Sequence, residues 1–214
     1  MTIRPASDRS LFVEFGSSIS LEIHHQVFHL TRALAGIRGI LNLHPAYASV
    51  LVEFDPRRWA FTAMEELILE KMAAEGQEQE HAPRAVEIPV QYGGDFGPDL
   101  GDVATHTGLR PERVIEMHAA GDYLVYFVGF MPGFAYLGGL APELATPRLS
   151  APRTKVPAGS VAIGGNQTGV YPMESPGGWR IIGHTRAKLF DPQAAEPTLL
   201  KMGDHIRFVP EPRA

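Results

Sequence analysis

The chain has 214 residues, of which 44% are hydrophobic and 20% are charged, a balance typical of a folded globular protein and not of a disordered one. Its formal net charge is -5 and its Lys and Arg residues are scattered, which argues against a nucleic-acid partner. Zero cysteines exclude disulfides and thiolate chemistry, and without a long apolar run or a signal-peptide pattern at Met1 we expect a cytoplasmic protein with no membrane contact.

The first third of the chain alternates between strand and helix patterns. Alternating apolar residues predict a strand over residues 11–15, and apolar residues at helical spacing predict an amphipathic helix over residues 19–35. Residues 40–44 and 47–54 have the pattern of a strand hairpin. Thr62, with a Glu three residues later, predicts the N-cap of a second helix.

The order strand, helix, strand, strand, helix is typical of a ferredoxin-like α/β sandwich, which we predict for residues 1–80. The polar stretch 75–84 is predicted to be a linker. Beyond it, residues 85–214 are rich in Pro and Gly and contain short apolar runs, which predict the strands of a sandwich or barrel at residues 86–90, 123–128, 161–163, 180–182 and 206–209. The fold class is therefore α+β.

A helical insert is predicted between the first two strands of this second domain. Pro98 and Pro111 suit the first turn of a helix, whereas Gly108 and Gly121 suit the C-terminal cap.

Standard signatures of nucleotide and hydrolase sites are missing from the sequence. It contains no GxxxxGK[ST] phosphate loop, no GxGxxG, no HExxH and no GxSxG motif. Any ATP would therefore be held in another way or shared with another chain. His24 and His25 are adjacent and do not face each other on a helix, so no metal site is predicted.

Two Gly- and Pro-rich segments predict loops with a defined backbone conformation, because Gly and Pro weaken regular structure unless the backbone requires them. In residues 92–100, Asp99 is suited to complement a helix dipole, and Asp95, outside the helix, is free to face a substrate. Residues 129–140 follow an apolar strand and bring Phe130, Pro132 and Tyr136 into a loop. This loop either walls a small-molecule pocket or packs as a connection.

Two further segments contain polar groups suited to a ligand. Arg153 and Lys155 lie between prolines and are suited to an acidic or phosphorylated ligand, although a solvated basic loop has the same pattern. Residues 164–179 place amide and hydroxyl groups among glycines, and the binding candidates there are Gln167, Thr168, Tyr171, Gly177 and Gly178. The sequence identifies no catalytic residue, and the candidates are Asp95 and His118.

Together these four segments resemble the signature of the B-type subunits of bacterial 5-oxoprolinases, a family also called allophanate hydrolase subunit 1 or kinase inhibitor, and the stretch 152–183 is the most specific part. The resemblance implies a ferredoxin-like N-terminal part and a C-terminal cyclophilin-like β-barrel. It implies that the chain acts with a C-type partner protein and an A-type subunit in the ATP-dependent opening of 5-oxo-L-proline to L-glutamate. ATP with Mg would then act at the level of the complex.

Two alternatives stay open at this stage. One is a regulatory protein that inhibits a sensor histidine kinase, and the other is a carboxyltransferase-type component of urea or allophanate metabolism. The chain also departs from the family pattern at His184 and Arg186, where a Gly-Arg-Thr-Pro sequence is usual.

Overall fold

A computed structural model describes residues 1–74 and 84–212 of the chain. The chain divides into two compact units, Met1–Ala82 and Pro83–Ala214. The predicted linker, except for its last residue Arg84, lies outside the described residues.

The first unit is a four-stranded antiparallel sheet with two helices. Its sheet order is β1-β2-β4-β3, and helix α1 packs against α2 and against strands β3 and β4. The elements in chain order are β1 Thr2–Ser7, β2 Ser10–Glu14, α1 Leu21–Leu34, β3 Ile40–Pro45, β4 Ser49–Phe54 and α2 Phe61–Ala73.

The predicted order of elements in the first unit is present, with two differences. Strand β1 was not predicted, because it is an edge strand with five exposed residues of six and has no apolar alternation. The Thr62 cap was wrong: α2 begins at Phe61, and Ala60 takes the N-cap position without a side-chain bond. Helix α1 does have a side-chain cap, since Ser20 accepts a hydrogen bond from the Ile23 amide at 3.2 Å.

The second unit contains a closed seven-stranded β-barrel, so the α+β class is confirmed. The strands follow the order β10-β7-β6-β13-β5-β12-β9, and pairing of β9 with β10 closes the ring. Strands β5 and β13 pair in parallel and the other barrel neighbours are antiparallel. The strands of the second unit, including β8 and β11 outside the barrel, are β5 Ala85–Tyr92, β6 Tyr123–Val128, β7 Ala135–Gly138, β8 Arg153–Val156, β9 Ser160–Gly164, β10 Gln167–Val170, β11 Ser175–Gly177, β12 Arg180–His184 and β13 His205–Pro210.

Two helices lie between β5 and β6, where a helical insert was predicted. They are α3 Leu100–Thr107 and α4 Pro111–Ala120. Pro111 occupies the first turn of α4, and Gly108 ends α3 in the left-handed conformation with φ of 70°. Pro98 was assigned wrongly, because it precedes the N-cap residue Asp99 and lies outside α3.

Three of the segments interpreted as loops contain strands. Strand β7 lies in residues 129–140, β8 in residues 152–160, and β10 in residues 164–172. Strand β8 pairs with β11 in a separate two-stranded sheet. These strands and β11 were not predicted because each has only three or four residues. Strands β7, β10 and β11 also contain Gly or Pro, which are usually depleted in strands, and β8 contains two cations.

The main apolar core of the second unit combines side chains from strands β5, β6, β9 and β13 with side chains from helices α3 and α4. Ile88, Val114, Val125, Ile163 and Ile206 are fully buried there. Among the described helices, none is long and apolar enough to cross a lipid bilayer.

Candidate functional site

A pocket of about 370 Å³ opens on one side of the second unit. A short 3-10 turn at Gly94–Phe96, strand β8, the start of β9 and strand β12 supply its walls. The lining residues combine charged and apolar side chains: Asp95, Phe96, Pro98, Arg153, Lys155, Pro157, Ser160, Ile181 and His184.

A buried carboxylate behind the pocket wall holds Arg153 in place. Asp99 is 4% exposed, and its Oδ1 accepts a hydrogen bond from Arg153 Nη2 at 2.7 Å. Its Oδ2 accepts a second bond from the backbone amide of Ile181, also at 2.7 Å. Because both carboxylate oxygens are occupied by donors on different strands, Asp99 ties β8 to β12.

The turn before Asp99 is docked directly on strand β12. The Asp99 amide donates to the Ile181 carbonyl at 2.9 Å, and the Gly93 amide donates to the Ile182 carbonyl at 3.0 Å. At Gly97 any Cβ atom would lie less than 3.0 Å from the Ile182 carbonyl oxygen, so a residue without a side chain is required. This close approach brings the Asp99 carboxylate to the Ile181 amide.

Arg153 keeps hydrogen-bonding capacity that the described residues do not use. Its Nη1 atom is buried and has no acceptor anywhere in residues 1–74 or 84–212. A charged donor left without a partner is costly, so an added acceptor for the Arg153 guanidinium would be favoured. Lys155 differs, because its side chain is 75% exposed and pairs with the exposed Glu174 at 3.0 Å. Such a surface pair is weak and easily exchanged for a ligand.

His184 lies on another part of the same pocket wall. Its Nε2 is 2.9 Å from the Ala158 carbonyl oxygen, and its ring centroid is 5.7 Å from that of Phe96. Because a carbonyl oxygen can accept but not donate, Nε2 is the protonated ring nitrogen.

Two of the predicted site residues, His118 and Thr168, lie in the barrel core instead of the pocket. His118 is fully buried, with Nδ1 2.7 Å from the Tyr92 hydroxyl and Nε2 2.8 Å from the Thr168 hydroxyl. Thr168 donates to the Ala162 carbonyl, so its oxygen accepts from His118 Nε2, and Nδ1 accepts from Tyr92. Burial lowers the pKa of His118 to about 3, which keeps the ring neutral. The described contacts give this histidine a role in packing, and a catalytic role stays a prediction.

The aromatic candidates form a cluster apart from the pocket lining. Tyr171 and Trp179 are buried, and Phe134 contacts both rings edge to face at 5.5 and 5.6 Å. Tyr136 stacks on Phe127 with centroids 4.5 Å apart. Gly177 provides the space that this packing needs, since a Cβ there would lie under 3.0 Å from the Tyr171 hydroxyl.

The four remaining predicted binding residues are Phe130, Pro132, Gln167 and Gly178. Phe130 is 65% exposed with φ of 67°, an uncommon conformation for a residue with a side chain, and Pro132 is exposed. Gln167 is half-buried at the start of β10, and Gly178 accepts a backbone bond from Leu149 at 2.7 Å. None of these four lines the pocket.

The pocket thus brings together Asp95, Arg153 and Lys155 from the sequence-predicted set. Sequence reasoning missed the role of Asp99, which it assigned to the helix dipole, and the contribution of Ser160. His184 gave a usable signal, because it departs from the family pattern at a Gly-flanked position. The partners of Asp99 are 54 and 82 residues away along the chain, so no local pattern reveals them.

Comparison with known proteins decides the family. The family model for the carboxyltransferase domain, subdomain C and D, matches residues 1–200. The B-type subunit of 5-oxoprolinase from Escherichia coli O157:H7 is 43% identical over 205 residues, covering 95% of this chain and 93% of that protein. The chain belongs to the family of 5-oxoprolinase B-type subunits. The Bacillus subtilis member of this family is 42% identical and is covered over 91% of its length.

Parts of longer proteins with solved structures are also similar to this chain. The crystal structure of TTHA0988 has a TM-score of 0.85 and 38% identity, and the match covers 96% of this chain but 40% of that one. The chain therefore spans less than half the length of that structural relative. Urea carboxylase of Kluyveromyces lactis has a TM-score of 0.75 at 21% identity, covering 98% of this chain and 22% of the carboxylase, and shares the fold.

Proposed function

We propose that this chain is part of an ATP-dependent 5-oxoprolinase that opens 5-oxo-L-proline to L-glutamate. Two curated relatives named as B-type subunits of 5-oxoprolinase, at 42 and 43% identity and over nearly their whole length, support the assignment. The observation that carries the proposal to a site is Arg153, which lines the pocket and keeps one guanidinium nitrogen without an acceptor among the described residues.

In this proposal the pocket binds the carboxylate of 5-oxoproline. The partly exposed Arg153 guanidinium donates to the carboxylate, while Asp99 holds it from behind through Nη2. Lys155 exchanges its exposed partner Glu174 for the ligand and adds a second positive charge. The apolar walls from Phe96, Pro98 and Ile181 suit the ring carbons of a small lactam.

The proposed reaction needs activation of an unreactive lactam carbonyl. Transfer of a phosphoryl group from ATP to the carbonyl oxygen releases ADP and activates the carbonyl carbon. Water then attacks this carbon and the ring C–N bond breaks as the nitrogen takes up a proton. A second water releases inorganic phosphate from the resulting γ-glutamyl phosphate and leaves L-glutamate. We place ATP and Mg at the level of the complex, since the sequence has no phosphate-binding loop. The part of this chain is to bind and orient the substrate.

The proposed partners are a C-type partner protein and an A-type subunit of the same complex. The lettered subunit names of the relatives support a multi-subunit assembly. We also propose that the first unit is ferredoxin-like and the barrel cyclophilin-like, with domains at residues 1–80 and 85–214. The β1-β2-β4-β3 order with two helices supports the first assignment, and the closed barrel supports the second. A cytoplasmic location stays a prediction.

A second candidate function is a carboxyltransferase component that works on urea or allophanate. It is favoured by the matched carboxyltransferase family model. This candidate predicts activity only in the presence of a biotinylated partner protein.

The decisive experiment measures ATP-dependent glutamate formation from 5-oxoproline by this chain combined with its candidate partner proteins, each omitted in turn. We expect loss of glutamate formation when this chain is omitted. Undiminished glutamate formation without it would contradict the proposal, and dependence on a biotinylated protein would favour the carboxyltransferase.

A further inference from the structure

We propose that His184 is a specificity-determining residue of the pocket, whose Nδ1 accepts a hydrogen bond from the N–H group of the substrate. The ligand class is then an acid with an amide N–H beside its carboxylate. This inference rests on the proposed function and adds the way in which the site recognises a lactam.

The protonation pattern of the His184 ring is set by the backbone. Nε2 donates to the Ala158 carbonyl oxygen at 2.9 Å, so the neutral ring has its lone pair on Nδ1. Among the described residues, no donor occupies Nδ1. The ring is half-buried and lines the pocket, so this acceptor is available to a bound molecule.

The ring is also held in place by its neighbours. Phe96 packs on it with an interplanar angle of 34°. Gly159 has φ of 82°, and a Cβ there would lie less than 3.0 Å from both His184 Nε2 and the Thr185 carbonyl oxygen. The backbone of this loop therefore lies directly against the ring edge. An acceptor fixed in this way loses little conformational entropy when a ligand binds.

His184 and Arg153 are placed by the same strand. Ile181 of β12 donates its amide to Asp99, which holds Arg153, and His184 follows three residues later on that strand. Both side chains line the same pocket, so one small molecule can present an anionic group to Arg153 and an N–H donor to His184. In 5-oxoproline these two groups lie on neighbouring atoms. An analogue without the N–H leaves a pocket acceptor unpaired and is rejected.

The test uses the assembled complex and compares His184→Phe with His184→Asn. Phe keeps an aromatic ring beside Phe96 but removes the acceptor, whereas the Asn side-chain oxygen can occupy the position of Nδ1. We expect His184→Phe to raise KM for 5-oxoproline about tenfold, the effect of one hydrogen bond, with kcat within about twofold. His184→Asn should restore part of the affinity. His106→Phe, at an exposed position on α3, is the matched control and should leave KM unchanged.

A ligand pair distinguishes recognition of the N–H from a general disturbance of the pocket. The lactone analogue 5-oxotetrahydrofuran-2-carboxylate has a ring oxygen in place of the N–H, and its inhibition constant should be the same for the native and His184→Phe complexes. Equal KM values for native and His184→Phe complexes, or parallel weakening of lactam and lactone, would overturn the inference while the proposed function stands. Glutamate formation that does not require this chain would overturn both.

Discussion

The substitution Asp99→Asn tests whether the buried carboxylate organises the pocket wall. Asp99 is 4% exposed and accepts two hydrogen bonds of 2.7 Å, from Arg153 and from the Ile181 amide. The Asn side chain has one oxygen, so its NH2 group must face one of these two donors. Loss of a fully buried ion-pair partner costs about 3–5 kcal/mol, and the Arg153 side chain is 31% exposed, so we expect about 2 kcal/mol.

The chain provides a matched control for this substitution. Asp102 accepts a hydrogen bond of the same 2.7 Å length from Arg180, but its side chain is 63% exposed. Water can replace that contact, so Asp102→Asn should cost less than about 1 kcal/mol.

The assay is urea unfolding of the second unit, followed by the fluorescence of Trp179. The chain has two Trp residues, and Trp59→Phe in all variants removes the one in the first unit. This separation matters because a chain with two compact units need not unfold in one step. An Asp99→Asn variant that is no less stable than Asp102→Asn would refute the role given to Asp99.

Three further predictions concern the second unit. Gly97→Ala should destabilise the second unit by several kcal/mol, because its Cβ would collide with a backbone carbonyl of β12. Gly101→Ala has open space in helix α3 and should stabilise the unit by up to about 1 kcal/mol. The urea concentrations at the unfolding midpoints of the two variants test this contrast. The pKa of His118 is lowered from 6.5 to about 3, so the unfolded chain binds the proton first and stability falls as pH drops below 6.5. By pH 5 the loss is about 2 kcal/mol, and His118→Gln, measured by urea unfolding at both pH values, should lack it. In the assembled complex Arg153→Met should raise KM for 5-oxoproline by about tenfold or more. Lys155→Met should raise it by less, because Lys155 is largely exposed. Equal increases in KM would contradict the assignment of Arg153 to the carboxylate.

Elements with strong local patterns were predictable from the sequence. Helix α1 has apolar residues at helical spacing, and strand β6 has a continuous apolar run, and both lie within two residues of the predicted ends. Strand β10 was interpreted as a loop, because its stability comes from barrel neighbours on both sides and not from its own Gly-containing sequence.

The candidate site was predictable only in part, for a related reason. Arg153 and Lys155 were singled out because the prolines on either side limit the freedom of the backbone that carries them. Asp99 was assigned to the helix dipole, since its true partners come from β8 and β12 and depend on the closed barrel. His118 has a chemically versatile side chain, but its environment became evident only when Tyr92 and Thr168 were placed on either side of it.

The parallel pairing of β5 with β13 has a consequence for protein synthesis. Six residue pairs join Ala85–Val90 to His205–Pro210, so the barrel cannot close until residue 210 has left the ribosome. The first unit has all of its strands and helices by residue 73 and can fold while the rest is being made. Strand β5 therefore has an edge without its β13 partner while more than a hundred further residues are translated. Chaperones bind nascent chains that expose such unpaired edges.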